Sequence, residues 1–130
     1  MKAFFRIITL VFVFISISNL YAGEQEDLFT ACMQMDFAGV QAAVEDGADV
    51  NALNGSGHNA LALAFLSPDI TKYLIEKGCD PNGGKYPALI QACNSYSVEV
   101  AEMLLNAGAD PNKKGIIDPS DIYRTLIAAE

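Results

Sequence analysis

Three five-residue stretches decide the fold of this chain: Gly47-Ala48-Asp49-Val50-Asn51, Gly78-Cys79-Asp80-Pro81-Asn82 and Gly108-Ala109-Asp110-Pro111-Asn112. Their glycines are 31 and 30 residues apart (78 − 47 and 108 − 78). Glycine just past a helix favours a left-handed turn that side chains disfavour, and the Asp and Asn that follow bond nearby backbone groups. Repetition at a period of this size is typical of solenoids, so the stretches predict three copies of one unit.

Two helical segments precede each glycine. The second segment ends in an apolar pair: Ala43-Val44, Leu74-Ile75 and Leu104-Leu105. The first segment reads Leu28-Phe29-Thr30-Ala31-Cys32, Leu61-Ala62-Leu63-Ala64-Phe65 and Leu89-Ile90-Gln91-Ala92-Cys93. The unit is therefore helix, turn, helix, glycine and an extended loop, which we call the finger. A single unit cannot bury its own apolar face, so we expect the apolar pairs to pack against adjoining units.

This unit resembles the ankyrin repeat. The family pattern has a Thr-Pro-Leu-His-like helix start, an Ala-Ala pair, a Gly turn, an apolar second helix and a Gly-Ala-Asp-Val-Asn end. Here the helix starts read Asn59-Ala60-Leu61 and Pro87-Ala88-Leu89, and the small pairs are Ala31-Cys32 and Ala92-Cys93, with Ala64-Phe65 a departure. The resemblance covers residues 27–112 and implies an all-α ankyrin-repeat solenoid of about three helix-turn-helix repeats.

The second unit is shorter than the other two. From Leu28 to Gly47 and from Leu89 to Gly108 the spacing is 19 residues, but from Leu61 to Gly78 it is 17. We therefore predict a two-residue deletion at the turn between the helices of the second repeat, near Ser67-Pro68.

The two ends of the chain differ from the repeats. Residues 1–22 read as a signal peptide, because Lys2 and Arg6 precede an apolar run over 7–17 and Ala22 suits the cleavage site. The alternative is an uncleaved membrane anchor, for which the run is short of the roughly 20 residues required. The predicted domains are thus a signal peptide at 1–22 and an ankyrin-repeat domain at 23–130. Asp118-Pro119-Ser120-Asp121 is a helix-start signature and predicts a C-terminal capping helix.

Charge and cysteine content limit the partners and the chemistry. The chain has 8 Lys and Arg against 16 Asp and Glu, a net charge of −8, so we expect it to bind neither nucleic acid nor an anionic membrane surface. Of its three cysteines, Cys32 and Cys93 fall two repeats apart, too far for a disulfide. We predict that these two and Cys79 are small buried residues; a regulatory thiol is the alternative.

The sequence contains no arrangement typical of a catalytic, cofactor or metal site. His58 is the only histidine, and Ser56 beside it has no predicted acid or oxyanion donor. One His and three Cys fall short of a zinc set. We therefore expect no enzyme activity, no cofactor and no metal.

The candidate site is a protein-binding surface. In ankyrin proteins partners usually bind the concave face, made of finger tips and the exposed side of each first helix. Carried over by position, the finger residues are Leu53, Asn54, His58, Lys85, Tyr86, Lys113 and Ile116, and the helix residues are Leu63, Leu66, Gln91 and Asn94. Met33 is a further helix position, and Tyr96 lies at the following turn. The exposed apolar residues among them mark a contact surface; the alternative is that short loops cover them.

The resemblance to small exported bacterial ankyrin proteins gives the functional hypothesis. We expect a monomeric, non-enzymatic binding module, periplasmic or secreted, that holds another protein. It would be an immunity partner or a helper of an envelope enzyme or toxin. The alternative is a secreted virulence factor that binds a host protein.

Overall fold

The computed structural model describes the backbone of residues 2–115, with the side chains of all these residues except 4, 5, 12 and 14–22. This part of the chain contains six helices and no strand. They are α1 (Lys2–Gln34), α2 (Phe37–Glu45), α3 (Ala60–Leu63), α4 (Pro68–Glu76), α5 (Ala88–Asn94) and α6 (Val98–Asn106). Ile116 and the predicted capping helix lie outside the described residues.

The helices stack in two layers. Helix α3 packs against α1 and α5 in one layer, and α4 packs against α2 and α6 in the other. Within a repeat, α1 pairs with α2, α3 with α4 and α5 with α6. The predicted ankyrin-repeat solenoid is confirmed.

The core lies between the two layers. Leu28, Leu61, Ile70, Leu74 and Leu104 are fully buried in it, and alanines fill the close approaches between helices. The prediction that both members of each apolar pair bury is wrong for Leu105, which is 46% exposed. No further described repeat follows α6, so no described helix covers Leu105 from that side.

Asparagine side chains join successive repeats. Asn51 Nδ2 donates to Gly78 O at 3.1 Å, and Asn51 Oδ1 accepts from Asp80 N at 2.7 Å. Asn82 repeats the pattern, donating to Gly108 O at 3.0 Å and accepting from Asp110 N at 2.7 Å. Each asparagine therefore fixes the finger of the next repeat through both ends of its amide.

No finger precedes the first repeat in the described part of the chain, and Gln25 takes the place of the finger asparagine. Its Oε1 accepts from Asp49 N at 2.9 Å, the bond that Asn51 and Asn82 make to Asp80 and Asp110. A side chain from the first helix thus covers the backbone donor at the open end of the solenoid.

The deletion in the second repeat shortens a helix and leaves the turn between the helices intact. Helix α3 has 4 residues, whereas α5 has 7. The sequence comparison gave the missing length correctly and placed it near Ser67-Pro68. In the structure α4 begins at Pro68 with Ser67 as its N-cap, and the loss falls on the end of α3. A notch remains between α1 and α5, on the side where α3 ends early.

Two side chains occupy strained backbone positions. Met35 and Tyr96 follow α1 and α5 and have φ values of 56° and 55°. The left-handed region costs a non-glycine residue about 1–2 kcal/mol. Paired backbone bonds impose it: Met35 N and Asp36 N donate to Cys32 O and Ala31 O, and Tyr96 N and Ser97 N donate to Cys93 O and Ala92 O. Both residues stand where the ankyrin pattern has its turn glycine.

Candidate protein-binding surface

An open apolar groove crosses the layer formed by α1, α3 and α5. Its volume is about 240 Å³. It is lined by Met33, Met35, His58, Ala62, Leu63, Phe65, Leu66 and Gln91. We call it the first-helix groove. It occupies the notch left by the short α3, so the deletion in the second repeat produces it.

Four of the predicted site residues meet in this groove: His58, Leu63, Leu66 and Gln91. Met33, which the sequence placed on the same face, is 58% exposed, and Leu66 is 51% exposed. Leu63 is half-buried. The alternative that loops cover the apolar residues therefore fails at Met33 and Leu66. Methionine adapts its shape to different partners, which suits a contact surface.

His58 and Tyr86 form the aromatic wall beside the groove. Their rings stack with centroids 4.5 Å apart and an angle of 16° between planes. Burial lowers the pKa of His58 below its ordinary value, and its Nδ1 is buried without a hydrogen-bond partner. A proton on that nitrogen would have no acceptor, so the imidazole is neutral at neutral pH and serves as a flat apolar face.

The finger around His58 is held by the Asn54 side chain and by the neighbouring finger at Lys85. Asn54 Oδ1 accepts from Ser56 N at 3.0 Å and from His58 N at 2.9 Å. Lys85 N donates to Gly57 O at 2.9 Å, and the Lys85 stem covers Gly57, where an added Cβ would lie 2.7 Å from Lys85 Cδ. Gly57 has φ +86°, so glycine is required there. The oxygen of Asn54, predicted to bind a partner, is therefore occupied in shaping the loop.

The remaining predicted residues are spread along the surface. Leu53 is 47% exposed on the finger, and Lys85 and Asn94 are exposed. Lys113 is half-buried and its Nζ donates to Asn82 O, so its charge supports the neighbouring finger. Ile116 lies outside the described residues. The site that the structure assembles is thus centred on the groove, with Leu53, Lys85 and Asn94 on the surface beyond it.

Sequence reasoning missed Met35 and Phe65 in this site. Met35 is 52% exposed and Phe65 is half-buried against the groove. Phe65 was visible only as a departure from the small pair of the family pattern. Met35 stands at the pattern's turn glycine, and a large apolar residue at that position was the signal that could have found it.

A second concavity between α1 and α2 has the opposite character. Its volume is about 280 Å³, and its lining includes Glu24, Asp27, Asp36 and Asp46. Four carboxylates make this cleft strongly negative. Met35 does not line this cleft, although Asp36, the next residue in the chain, does.

The thiols differ from the prediction in one case. Cys32 and Cys79 are buried, but Cys93 is exposed. Burial raises the pKa of Cys32 to about 12 and that of Cys79 to about 11. Cys79 Sγ also donates to Val50 O at 3.0 Å. The prediction that Cys93 is buried is therefore wrong. Cys93 holds the same repeat position as Cys32, which is covered where α1 packs on α3. No described helix packs on the far side of α5, so Cys93 stays exposed.

Comparison with known proteins agrees with this architecture. A family model for ankyrin repeats, in three copies, matches residues 28–115. The chain belongs to the ankyrin-repeat family. An ankyrin repeat protein of Acanthamoeba polyphaga mimivirus is 30% identical to this ankyrin chain over 95 residues. Those residues are 73% of this chain and 29% of that protein, so the chain spans under a third of that relative's length.

Ankyrin repeats form protein–protein interaction modules, and the family is generally a non-enzymatic binding scaffold. Within residues 2–115 of this ankyrin chain, no three His, Cys, Asp or Glu side chains could together hold a metal ion. None of the helices in the described part combines the length and apolar character needed to cross a membrane.

Proposed function

We propose that this protein is a non-enzymatic binding module of the bacterial envelope. Its first-helix groove would hold a partner protein there. The partner would be an enzyme or toxin of that compartment, which the chain restrains as an immunity protein or assists as a helper. The observation that carries the proposal is the groove itself, where Met33, Met35 and Leu66 are each more than half exposed.

The groove meets the requirements of a contact surface. Hot spots of protein interfaces lie in apolar pockets ringed by near-neutral contacts that exclude water. Leu63 and Phe65 are half-buried in the groove beside the exposed methionines, and the stacked His58 and Tyr86 form a rigid wall. An exposed apolar surface of this kind favours a docked partner over open solvent.

The envelope location is supported by the first part of α1. Ile7, Leu10 and Val11 are 59%, 69% and 50% exposed, so this segment contributes none of these side chains to the repeat core. Two basic residues precede the apolar run, as in a secretory leader. We therefore propose that residues 1–22 export the chain and are removed.

The proposal is tested by capture from an envelope extract. The purified protein is immobilised and retained proteins are identified by mass spectrometry. Met33→Ser should reduce capture about tenfold, since an exposed apolar anchor contributes about 1–2 kcal/mol. Leu105→Ser is the control, because Leu105 is 46% exposed on α6, away from the groove. Equal loss in both variants, or a partner retained equally by both, would refute the groove as the contact site.

Cell fractionation distinguishes the immunity or helper role from the virulence-factor alternative. Retention of the processed chain in the periplasm supports the immunity or helper role. Release into the medium, with capture of a host protein instead, would replace it with the virulence-factor alternative. Chain found only in the cytoplasm would contradict both.

A further inference from the structure

A row of large apolar side chains runs along one edge of the solenoid, one from each repeat. Met35, Leu66 and Tyr96 each directly precede the N-cap residue of the second helix of their repeat, which is Asp36, Ser67 and Ser97 in turn. Their exposed fractions are 52%, 51% and 90%. We call these three residues the pre-cap row. Met35 and Leu66 also line the first-helix groove, so the row extends that surface across the third repeat.

Negative charge borders the row in every repeat. Asp36 caps α2, Asp69 lies in the first turn of α4 and Glu99 lies in the first turn of α6. Asp36 also lines the acidic cleft between α1 and α2, together with Glu24, Asp27 and Asp46. Helices α2 and α6 contain no Lys or Arg, and α4 contains one, Lys72. An apolar row with an acidic border is complementary to an apolar stripe with a basic border.

The spacing of the row selects the backbone of its partner. Helices α1, α3 and α5 pack side by side, and packed helices lie about 8–10 Å apart, so the row advances by about that distance per repeat. A partner α-helix returns to the same face every seven residues, about 10.5 Å along its axis. Same-face residues of a strand fall at about 7 and 13 Å and miss this spacing.

The backbone strain at two members of the row also indicates a function. Met35 and Tyr96 hold positive φ, where glycine would be unstrained. Their side chains stabilise little of the core, since both are more than half exposed. The backbone bonds require the positive φ but not the large side chain, and residues held in such strained conformations are concentrated at binding and switch sites.

We propose that the pre-cap row docks an amphipathic α-helix of the partner. This helix presents apolar residues at i, i+7 and i+14, with Lys or Arg flanking them toward Asp36, Asp69 and Glu99. Tyr96 is its main anchor, because it is the most exposed residue of the row and tyrosine is a common hot-spot residue. The inference rests on the proposed binding function and specifies the chemistry of the partner.

Synthetic peptides of about 18 residues test the helix and the charge. The first carries Leu at i, i+7 and i+14 with Lys beside each. The second has Glu in place of every Lys. The third keeps the composition but moves the Leu residues to i, i+5 and i+10, which scatters them around the helix. Binding to the purified protein is measured by fluorescence anisotropy, and helix formation by circular dichroism.

We expect the first peptide to bind at least about tenfold more tightly than the other two and to gain helicity on binding. Its affinity should fall as salt is added, because the bordering charges are exposed. Undetectable binding of the first peptide, or equal binding of all three, would overturn the proposal.

Tyr96→Gly and Met35→Gly provide variants in which the fold is not at risk. Glycine relieves the positive φ, so the melting temperature should stay unchanged or rise, while the affinity for the first peptide falls about tenfold or more. Leu105→Ser, outside the row, should leave the affinity unchanged. Wild-type affinity in Tyr96→Gly would show that the row is not the docking site.

Failure of this inference is distinguishable from failure of the proposed function. If the envelope partner is captured equally by wild type and Tyr96→Gly but is lost in Met33→Ser, the groove binds it and the pre-cap row does not. If wild type captures no partner at all, the proposed function fails, and the peptides still decide what the row binds.

Discussion

At the scale of single residues, the role of a side chain follows from what its repeat position faces. Sequence alone placed Asp49, Asn51 and their equivalents in the turns, because Asp and Asn just after a helix-ending glycine bond nearby backbone groups. It did not foresee that the Lys113 ammonium serves Asn82 O or that Asn54 Oδ1 is used within its own loop. Those contacts depend on loops whose length differs between repeats, so no sequence motif predicts them.

His58 makes the stability of the fold depend on pH. Burial lowers its pKa in the folded protein, so as the pH falls below about 6.5 the unfolded chain takes up the proton first. The free energy of unfolding should therefore decrease as the pH falls from about 6.5 to the pKa of His58 in the folded protein. Below that pKa, His58 should cause no further decrease. His58→Gln should flatten that part of the profile.

The measurement is the melting temperature of both proteins between about pH 7.5 and 5, above the range in which ordinary carboxylates titrate. The melting temperature of wild type should fall relative to that of His58→Gln as the pH drops below about 6.5, and the difference between the two should be constant at neutral pH. Parallel profiles would mean that His58 does not control this titration.

At the scale of elements, the joints between repeats were more predictable than the helices themselves. The equivalent glycines fixed where each second helix ends, and the three have positive φ as the motif requires. The length of the second repeat was also readable from the spacing. The groove was not, because it arises from the absence of two residues at the end of α3, and a missing residue leaves no side chain to interpret.

Asn51 should be far more important for stability than the equivalent Asn112. Asn51→Ala removes the bonds to Gly78 O and Asp80 N, at about 0.5–1.5 kcal/mol each. We expect the free energy of unfolding to fall by about 1–3 kcal/mol. The Asn112 side chain makes no hydrogen bond to another described residue. Asn112→Ala should therefore change the free energy of unfolding by less than about 0.5 kcal/mol.

Urea denaturation followed by circular dichroism measures both variants, with the slope of the transition showing whether the native state is unchanged. Similar losses in the two variants would indicate that Asn112 is also bonded, beyond the described residues. Negligible loss in Asn51→Ala would show that burial alone holds the repeats in register.

At the scale of the whole molecule, three repeats are about the minimum that buries a continuous core. The core residues Leu28, Ile70 and Leu104 each come from a different repeat, so no repeat is complete without its neighbours. The solenoid was therefore predictable from the repeats, whereas exposure at the last described repeat, at Leu105 and Cys93, was not. The repeat motif has the same sequence whether or not another repeat packs beside it, so it does not indicate which of its residues stay exposed.

The three thiols report on whether the stack opens as one unit. In the native protein a thiol reagent should label about one cysteine, Cys93, because Cys32 and Cys79 are buried and their raised pKa values suppress the reactive thiolate. Cys32 and Cys79 belong to different repeats and should react at a common, slow rate set by global unfolding.

Mass spectrometry of the labelled protein measures these rates. Cys93→Ser should remove the fast label and leave the slow ones unchanged, and the unfolded protein should label at all three positions. Faster labelling of Cys32 than of Cys79 would show instead that the first repeat frays independently.

The Gln25–Asp49 bond has a consequence for how the N-terminus can be trimmed. A peptidase that cuts after Ala22 would leave Gln25 as the third residue of the product, with its side chain still over the first finger. A cut three residues later would discard that side chain and leave Asp49 N to water. If residues 1–22 are removed as proposed, the cut can therefore move by up to two residues toward the C-terminus before this bond is lost.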